Sequence, residues 1–91
     1  MADHIVEAYA LSQESVRLMK EAIMRVLIAH PEGLKNSEIG RLLGVNADFL
    51  DDQQGWFCYT ILKIMEQERI VEQPVPRGPW KLQQIVKMPK S

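Results

Sequence analysis

The side chains of this chain that could perform covalent chemistry are few and poorly arranged for it. His4 and His30 stand far apart with no motif joining them, and Cys58 is the lone cysteine. Cys58 falls on a helix face expected to be buried, where a thiol acts as a small hydrophobe and lacks the exposed base that would activate a nucleophile. Asp48, Asp51 and Asp52 do not have the alternating oxygen ligands and central glycine of a calcium loop, so helix capping is their simpler role. Nothing matches a phosphate-cradling glycine-rich loop. The expectation is no enzymatic activity, no cofactor and no metal. Non-covalent chemistry is better supplied. Lys35, Asn36 and Ser37 stand where a short helix begins, and an anion is favoured there by unpaired backbone N–H groups and the positive helix end. Gln53, Thr60 and Lys63 can hydrogen-bond base edges or flank them, Arg77 and Lys81 can meet phosphates, and Trp56 can stack. Each has a plainer alternative: Asn36 as a cap, the others as an ordinary solvated surface.

The elements that must position these groups are readable from period and punctuation. Residues 1–11 carry Ile5, Val6, Ala8, Tyr9 and Leu11 and read as an ordered arm ahead of a helix capped by Ser12, with Glu14 in its first turn. Val16, Met19, Ile23, Val26 and Leu27 then recur at steps of three and four until Pro31 stops the helix. Gly33-Leu34-Lys35 reads as a turn or a one-pair strand. Asn36 is the expected N-cap of a second helix whose Ile39, Leu42 and Leu43 form an apolar triplet, and Gly44 supplies its left-handed stop. An acidic connector anchored by Phe49 and Leu50 leads to a third helix over 53–68. Cys58, Ile61, Leu62 and Met65 should face inward from it, and Trp56, Thr60, Lys63 and Gln67 outward.

Arg69–Gln73 and Trp80–Ile85 read as two strands with Trp80 and Leu82 turned into the core. Between them Pro74, Pro76 and Pro79 confine the chain to a loop, with Gly78 expected to take positive φ at its tip. The predicted class is α+β, mainly helical: a winged helix of three helices and a C-terminal two-stranded β wing. Its expected divisions are an N-terminal arm, 1–11, a winged-helix domain, 12–86, and a flexible tail, 87–91, to which Lys87 and Lys90 add positive charge.

Composition bounds the partners. Ninety-one residues with 46% hydrophobic and 25% charged content form one domain with one modest core. Eleven Lys and Arg against 12 Asp and Glu leave a net charge of -1, so a polyanion must be met by local segregation of charge. The lone cysteine excludes an internal disulfide and a cysteine zinc site. No apolar run reaches the ~18 residues of a membrane span, and Met1-Ala2-Asp3-His4 lacks the basic start of a signal peptide. A cytoplasmic protein with no membrane partner is expected.

From Gly33 to Val71 the chain resembles a winged-helix module of small bacterial proteins, some of them joined to restriction-type or other defence nucleases. The resemblance rests on Leu34-Lys35-Asn36-Ser37-Glu38-Ile39, Leu42-Leu43-Gly44, Asp48-Phe49, Gln53, Trp56, Tyr59-Thr60-Ile61-Leu62 and Glu68. It departs where such modules carry basic residues at the start of the third helix, since Asp51, Asp52, Gln53 and Gln54 stand there. The resemblance implies double-stranded DNA as partner, with the third helix in a major groove and the wing on adjacent backbone. It suits a homodimeric bacterial or phage transcriptional regulator. The rival expectation is a protein-interaction or dimerisation module that uses Trp56, Phe57 and the acidic connector.

Overall fold

The computed structural model describes residues 2–45 and 56–83. Gln53, the capping aspartates 48, 51 and 52, the anchors Phe49 and Leu50, the strand end at Gln84 and Ile85, and Lys87 and Lys90 lie outside them. Three helices are followed by an antiparallel hairpin: α1 (Ala2–Ala29), α2 (Asn36–Leu43), α3 (Trp56–Gln67), β1 (Val71–Glu72) and β2 (Lys81–Leu82). This is the α+β layout expected of a winged helix.

α1 is longer than its capping signal suggested. Neither Gly nor Pro occurs between Ala2 and Ala29, and an interior serine costs a helix only tenths of a kcal/mol relative to good helix formers, so Ser12 does not interrupt it. Ser12 is therefore a mid-helix residue, its carbonyl accepting the Ser15 hydroxyl at 2.9 Å, and the arm is the helix's own first turns. Only the later turns meet the domain. Ile23 and Leu27 are buried, Val16, Met19 and Val26 are half-buried, and every residue from Asp3 to Ser15 is exposed. The radius of gyration, 15.0 Å against about 12 Å for a compact chain of this length, reflects that projection.

α2 begins one residue earlier than Asn36 as a cap implied. Lys35 holds the extended cap conformation and Asn36 is the first helical residue. A lysine ammonium cannot accept a hydrogen bond, so only the reverse half of a capping box is chemically available: the Lys35 N–H donates to Glu38 Oε1 at 2.8 Å. Gly44, at φ 71°, closes the helix as expected, with its N–H on the Arg41 carbonyl and that of Val45 on the Gly40 carbonyl. The apolar triplet is corrected in one member. Ile39 is buried and Leu43 half-buried, but Leu42 is 57% exposed and Gly40 takes the second inward place.

α3 turns Cys58, Ile61, Leu62 and Met65 inward as the period required. It ends in a paired-carbonyl stop, Arg69 N–H to Glu66 and Ile70 N–H to Met65, with Arg69 rather than a glycine in the left-handed conformation at φ 65°. The strands are shorter than predicted. Val71 faces Leu82 and Glu72 faces Lys81, while Gln83 N–H extends the ladder to the Ile70 carbonyl. A third chain segment joins through one pair: Leu34 and Trp80 exchange both backbone bonds, at 2.9 and 2.7 Å. Trp80 is 1% exposed and is the largest side chain in the core, which also holds Ile23, Leu27, Ile39, Leu62 and Val71.

Gly33 makes that pairing possible. It sits at φ 97°, and a Cβ there would lie 2.9 Å from Pro79 Cβ and 3.0 Å from the Trp80 carbonyl oxygen. Gly44 shares the positive φ but has open space around it. Gly44→Ala should therefore cost only the left-handed strain, about 1 kcal/mol, whereas Gly33→Ala adds a backbone collision and should cost roughly 3 kcal/mol or more. Urea midpoints of the two variants check that order, and equal shifts would contradict it.

Candidate nucleic-acid interface

The wing tip is built on a four-residue turn. Gly78 N–H donates to the Val75 carbonyl at 2.8 Å, Pro76 fills the second position, and the third, Arg77, has φ 64°. Proline second and positive φ third is the pattern of a type II turn, in which glycine is the usual third residue. The expectation for Gly78 is thus corrected: Arg77 carries the positive φ. Gly78 answers a different need, since a Cβ there would stand 3.0 Å from the Val75 oxygen. The Gln73 side-chain amide braces the loop by donating to the Gly78 carbonyl at 3.0 Å.

Because Leu34 and Trp80 are bonded to each other, the start of α2 and the wing are held side by side. Between them lies a cleft of about 520 Å³ lined by Lys35, Asn36 and Ser37 at the start of α2, Tyr59 from α3, Trp80, and Gln73, Pro76, Arg77 and Gly78 of the wing. The structure thereby joins four of the sequence-predicted residues in one place. Tyr59 and Gln73 were not anticipated. The signal for Tyr59 was present, because positions 56, 59, 60 and 63 share the outward side of a helix. Its ring is 46% exposed and meets the buried Trp80 ring edge-on, centroids 6.4 Å apart.

The other predicted residues stand elsewhere. Trp56 is 55% exposed on α3, edge-on to the half-buried Phe57 at 5.9 Å. Thr60 is exposed, but its hydroxyl donates to the Trp56 carbonyl at 2.9 Å. Lys63 is exposed and bound to Glu66 at 2.8 Å, a hydrogen bond that also raises its pKa, and its ammonium lies 6.0 Å from the Tyr59 ring centre. Lys81 leaves the cleft altogether, lining a hollow of about 170 Å³ with Glu32, Pro74, Val75 and Pro79.

Charge is sorted by position. Arg17, Lys20, Arg25 and Lys63 are engaged with Glu14, Glu68, Glu21 and Glu66. Among the described residues no acid lies within ion-pair distance of Lys35, Arg41, Arg69, Arg77 or Lys81. Two of these cations, Lys35 and Arg77, flank the cleft from opposite sides. The Glu38 carboxylate, held on the Lys35 N–H, already occupies part of the positive end of α2. Among the described residues no group of three or more metal-ligating side chains occurs.

Compared with family models and with curated proteins, the chain finds no match.

Cys58 is fully buried beneath this surface, and desolvation pushes its thiol up to about 11. A group with a normal pKa of 9.0 would hold about 100-fold more thiolate at pH 8. The folded protein should accordingly react with a thiol reagent at pH 8 at least about 100-fold more slowly than the protein in denaturant. The unfolded thiol ionises first, so stability is lost as pH rises from about 9 toward 11.

Proposed function

We propose that this protein is a non-enzymatic winged-helix binder of double-stranded DNA that acts as a homodimer, in the manner of a small transcriptional regulator of a bacterium or phage. The observation that carries the reading is the convergence of Lys35 at the start of α2 and Arg77 at the wing tip on one cleft rimmed by the exposed Tyr59. A cleft with cations on both banks and an aromatic wall suits a phosphate backbone, with its sugar set against the ring. The outward side of α3, with Trp56, Thr60 and Lys63, then faces the adjacent groove. The strained conformation of Arg77 supports the reading further. A non-glycine residue at positive φ costs of order 1 kcal/mol, and such positions cluster at functional sites.

A second reading draws on Trp56. A half-exposed tryptophan on the same side of α3 as a lysine already paired with Glu66 suits a protein contact better than a phosphate. In that reading the same fold is an interaction module.

Fluorescence anisotropy on random and selected duplexes at low salt separates the two. Lys35→Glu with Arg77→Glu should weaken duplex binding at least ten-fold and lower the log–log salt slope by roughly two, about 0.9 for each lost phosphate contact. Glu38→Gln, which keeps an acceptor for the Lys35 N–H and removes the charge, should tighten it. Arg77→Gly relieves the backbone, so it should leave stability unchanged or higher while weakening DNA. A folded protein that shifts no duplex, together with loss of a protein complex on Trp56→Ala, would establish the second reading instead.

A further inference from the structure

The wing lacks the hydrogen bonds that usually carry a hairpin to its tip. In an antiparallel pair, facing residues alternate between bonded and non-bonded positions. Gln83 N–H bonds the Ile70 carbonyl, Val71 faces Leu82 and Glu72 faces Lys81, so the next bonded positions are Glu72 with Lys81 and then Pro74 with Pro79. Neither proline has an N–H to give, and the ladder stops at Glu72. The position between, Gln73 with Trp80, is a non-bonded one, and Trp80 gives both of its backbone groups to Leu34. Among the described residues, the backbone from Gln73 to Pro79 is then joined only by the bond inside the tip turn, Gly78 N–H to the Val75 carbonyl.

That turn needs support. Arg77 holds φ 64° where glycine is the usual residue, and a strained conformation persists only where its surroundings fix it. The Gln73 side chain does so. Its amide nitrogen reaches across the loop and donates to the Gly78 carbonyl at 3.0 Å, in a half-buried position. Gly78 is held on both sides as a result, its N–H by Val75 and its carbonyl by Gln73, while Pro76 restricts the residue before Arg77.

We infer that Gln73 is a positioning residue of the cleft: its amide replaces the ladder bond that Pro74 and Pro79 withhold, and so fixes the wing turn with Arg77 across from Lys35. The inference rests on the duplex-binding reading of the cleft and adds to it a residue that acts through Arg77. Without the amide, the tip keeps one internal bond and the strain of Arg77, so the closed turn loses population and the apparent affinity for duplex falls by the same fraction. The net worth of one hydrogen bond corresponds to about a two- to twelve-fold change in such a local equilibrium.

Gln73→Met tests the inference, because it keeps the length of the side chain and removes the donor. Gln73 is half-buried and outside the core, so the domain stays folded, which helical circular dichroism checks. Without DNA, trypsin cleavage after the exposed Arg77 should rise about two- to twelve-fold, while cleavage after the exposed Arg41 of α2 stays as it was. Fluorescence anisotropy at low salt should show weaker duplex binding, by up to the same factor, in the otherwise unchanged protein. It should show no further loss when Arg77→Ala is already present. Alanine keeps the backbone strain and removes the guanidinium, so the double-mutant cycle isolates what passes through Arg77. Unchanged cleavage would mean that the amide does not order the turn, and an equal loss of binding in both backgrounds would make Gln73 a direct contact. Either result overturns the inference, as does faster cleavage with unchanged duplex binding. An unaltered protein that binds no duplex overturns the reading beneath it, and the inference with it, before any variant is made.

Discussion

The reciprocal backbone bond between Leu34 and Trp80 is the constraint on which the rest of this small fold depends. It fastens the connection between α1 and α2 to the second strand of the wing, two segments some forty-six residues apart in sequence. Three consequences follow from one pair. The Trp80 ring is driven into the core, where it is the largest fully buried side chain and gives Tyr59 an edge to lean on. Gly33 must be glycine, because the strand edge approaches within 3.0 Å of where a Cβ would stand. Most relevant to function, the start of α2 and the loop bearing Arg77 become opposite banks of a single cleft. A two-stranded hairpin is marginal alone, and this third segment with the packed tryptophan is what steadies it.

With a net charge of -1, the molecule as a whole gives a polyanion no general attraction. What it has is a division of labour among cations. Those on α1 are tied to carboxylates, and Lys20 in particular reaches Glu68 at 3.0 and 3.1 Å, joining α1 to the turn that follows α3. Exposed pairs of this kind add little stability, and Lys20–Glu68 matters more as a positional link than as an energy term. The cations at the cleft have no such partners among the described residues, so their fields reach solvent. Pairing thus leaves Lys35 and Arg77 at the cleft without an acid partner among the described residues even though the totals cancel.

Much of the fold could be read from the sequence because hydrophobic period and backbone punctuation agreed. The inward quartet of α3, the stop at Gly44 and the inward Trp80 follow from spacing and residue type alone. The failures share a cause: they concern choices made by tertiary context. Ser12 has a good capping side chain, yet nothing after Ala2 breaks the helix, so the capping signal had no terminus to act on. Leu42 has the right spacing, but an eight-residue helix packed beside two others buries a narrow stripe, in which Gly40 rather than Leu42 is the second buried residue. At the wing, Gly78 looked like the residue for a positive φ, but it is the fourth residue of the turn, where the Val75 carbonyl would crowd a Cβ at 3.0 Å, and the left-handed third position belongs to Arg77. The site was legible in its charged members Lys35 and Arg77. Lys81 stands apart from the cleft, on the hollow with Glu32, Pro74, Val75 and Pro79, and Tyr59, which joins the cleft from the outward side of α3, was passed over because its neighbours looked more polar.

A domain of this size has one modest core, and with a net charge of -1 a single copy offers a polyanion a small contact with weak electrostatic support. In the proposed function a second copy answers that shortage: it adds a second cleft and a second outward α3 face, and binding at the second becomes intramolecular once the first is engaged. Duplex binding and self-association would then reinforce each other through mass action, so that an association too weak to persist in free copies is still populated on a two-fold site.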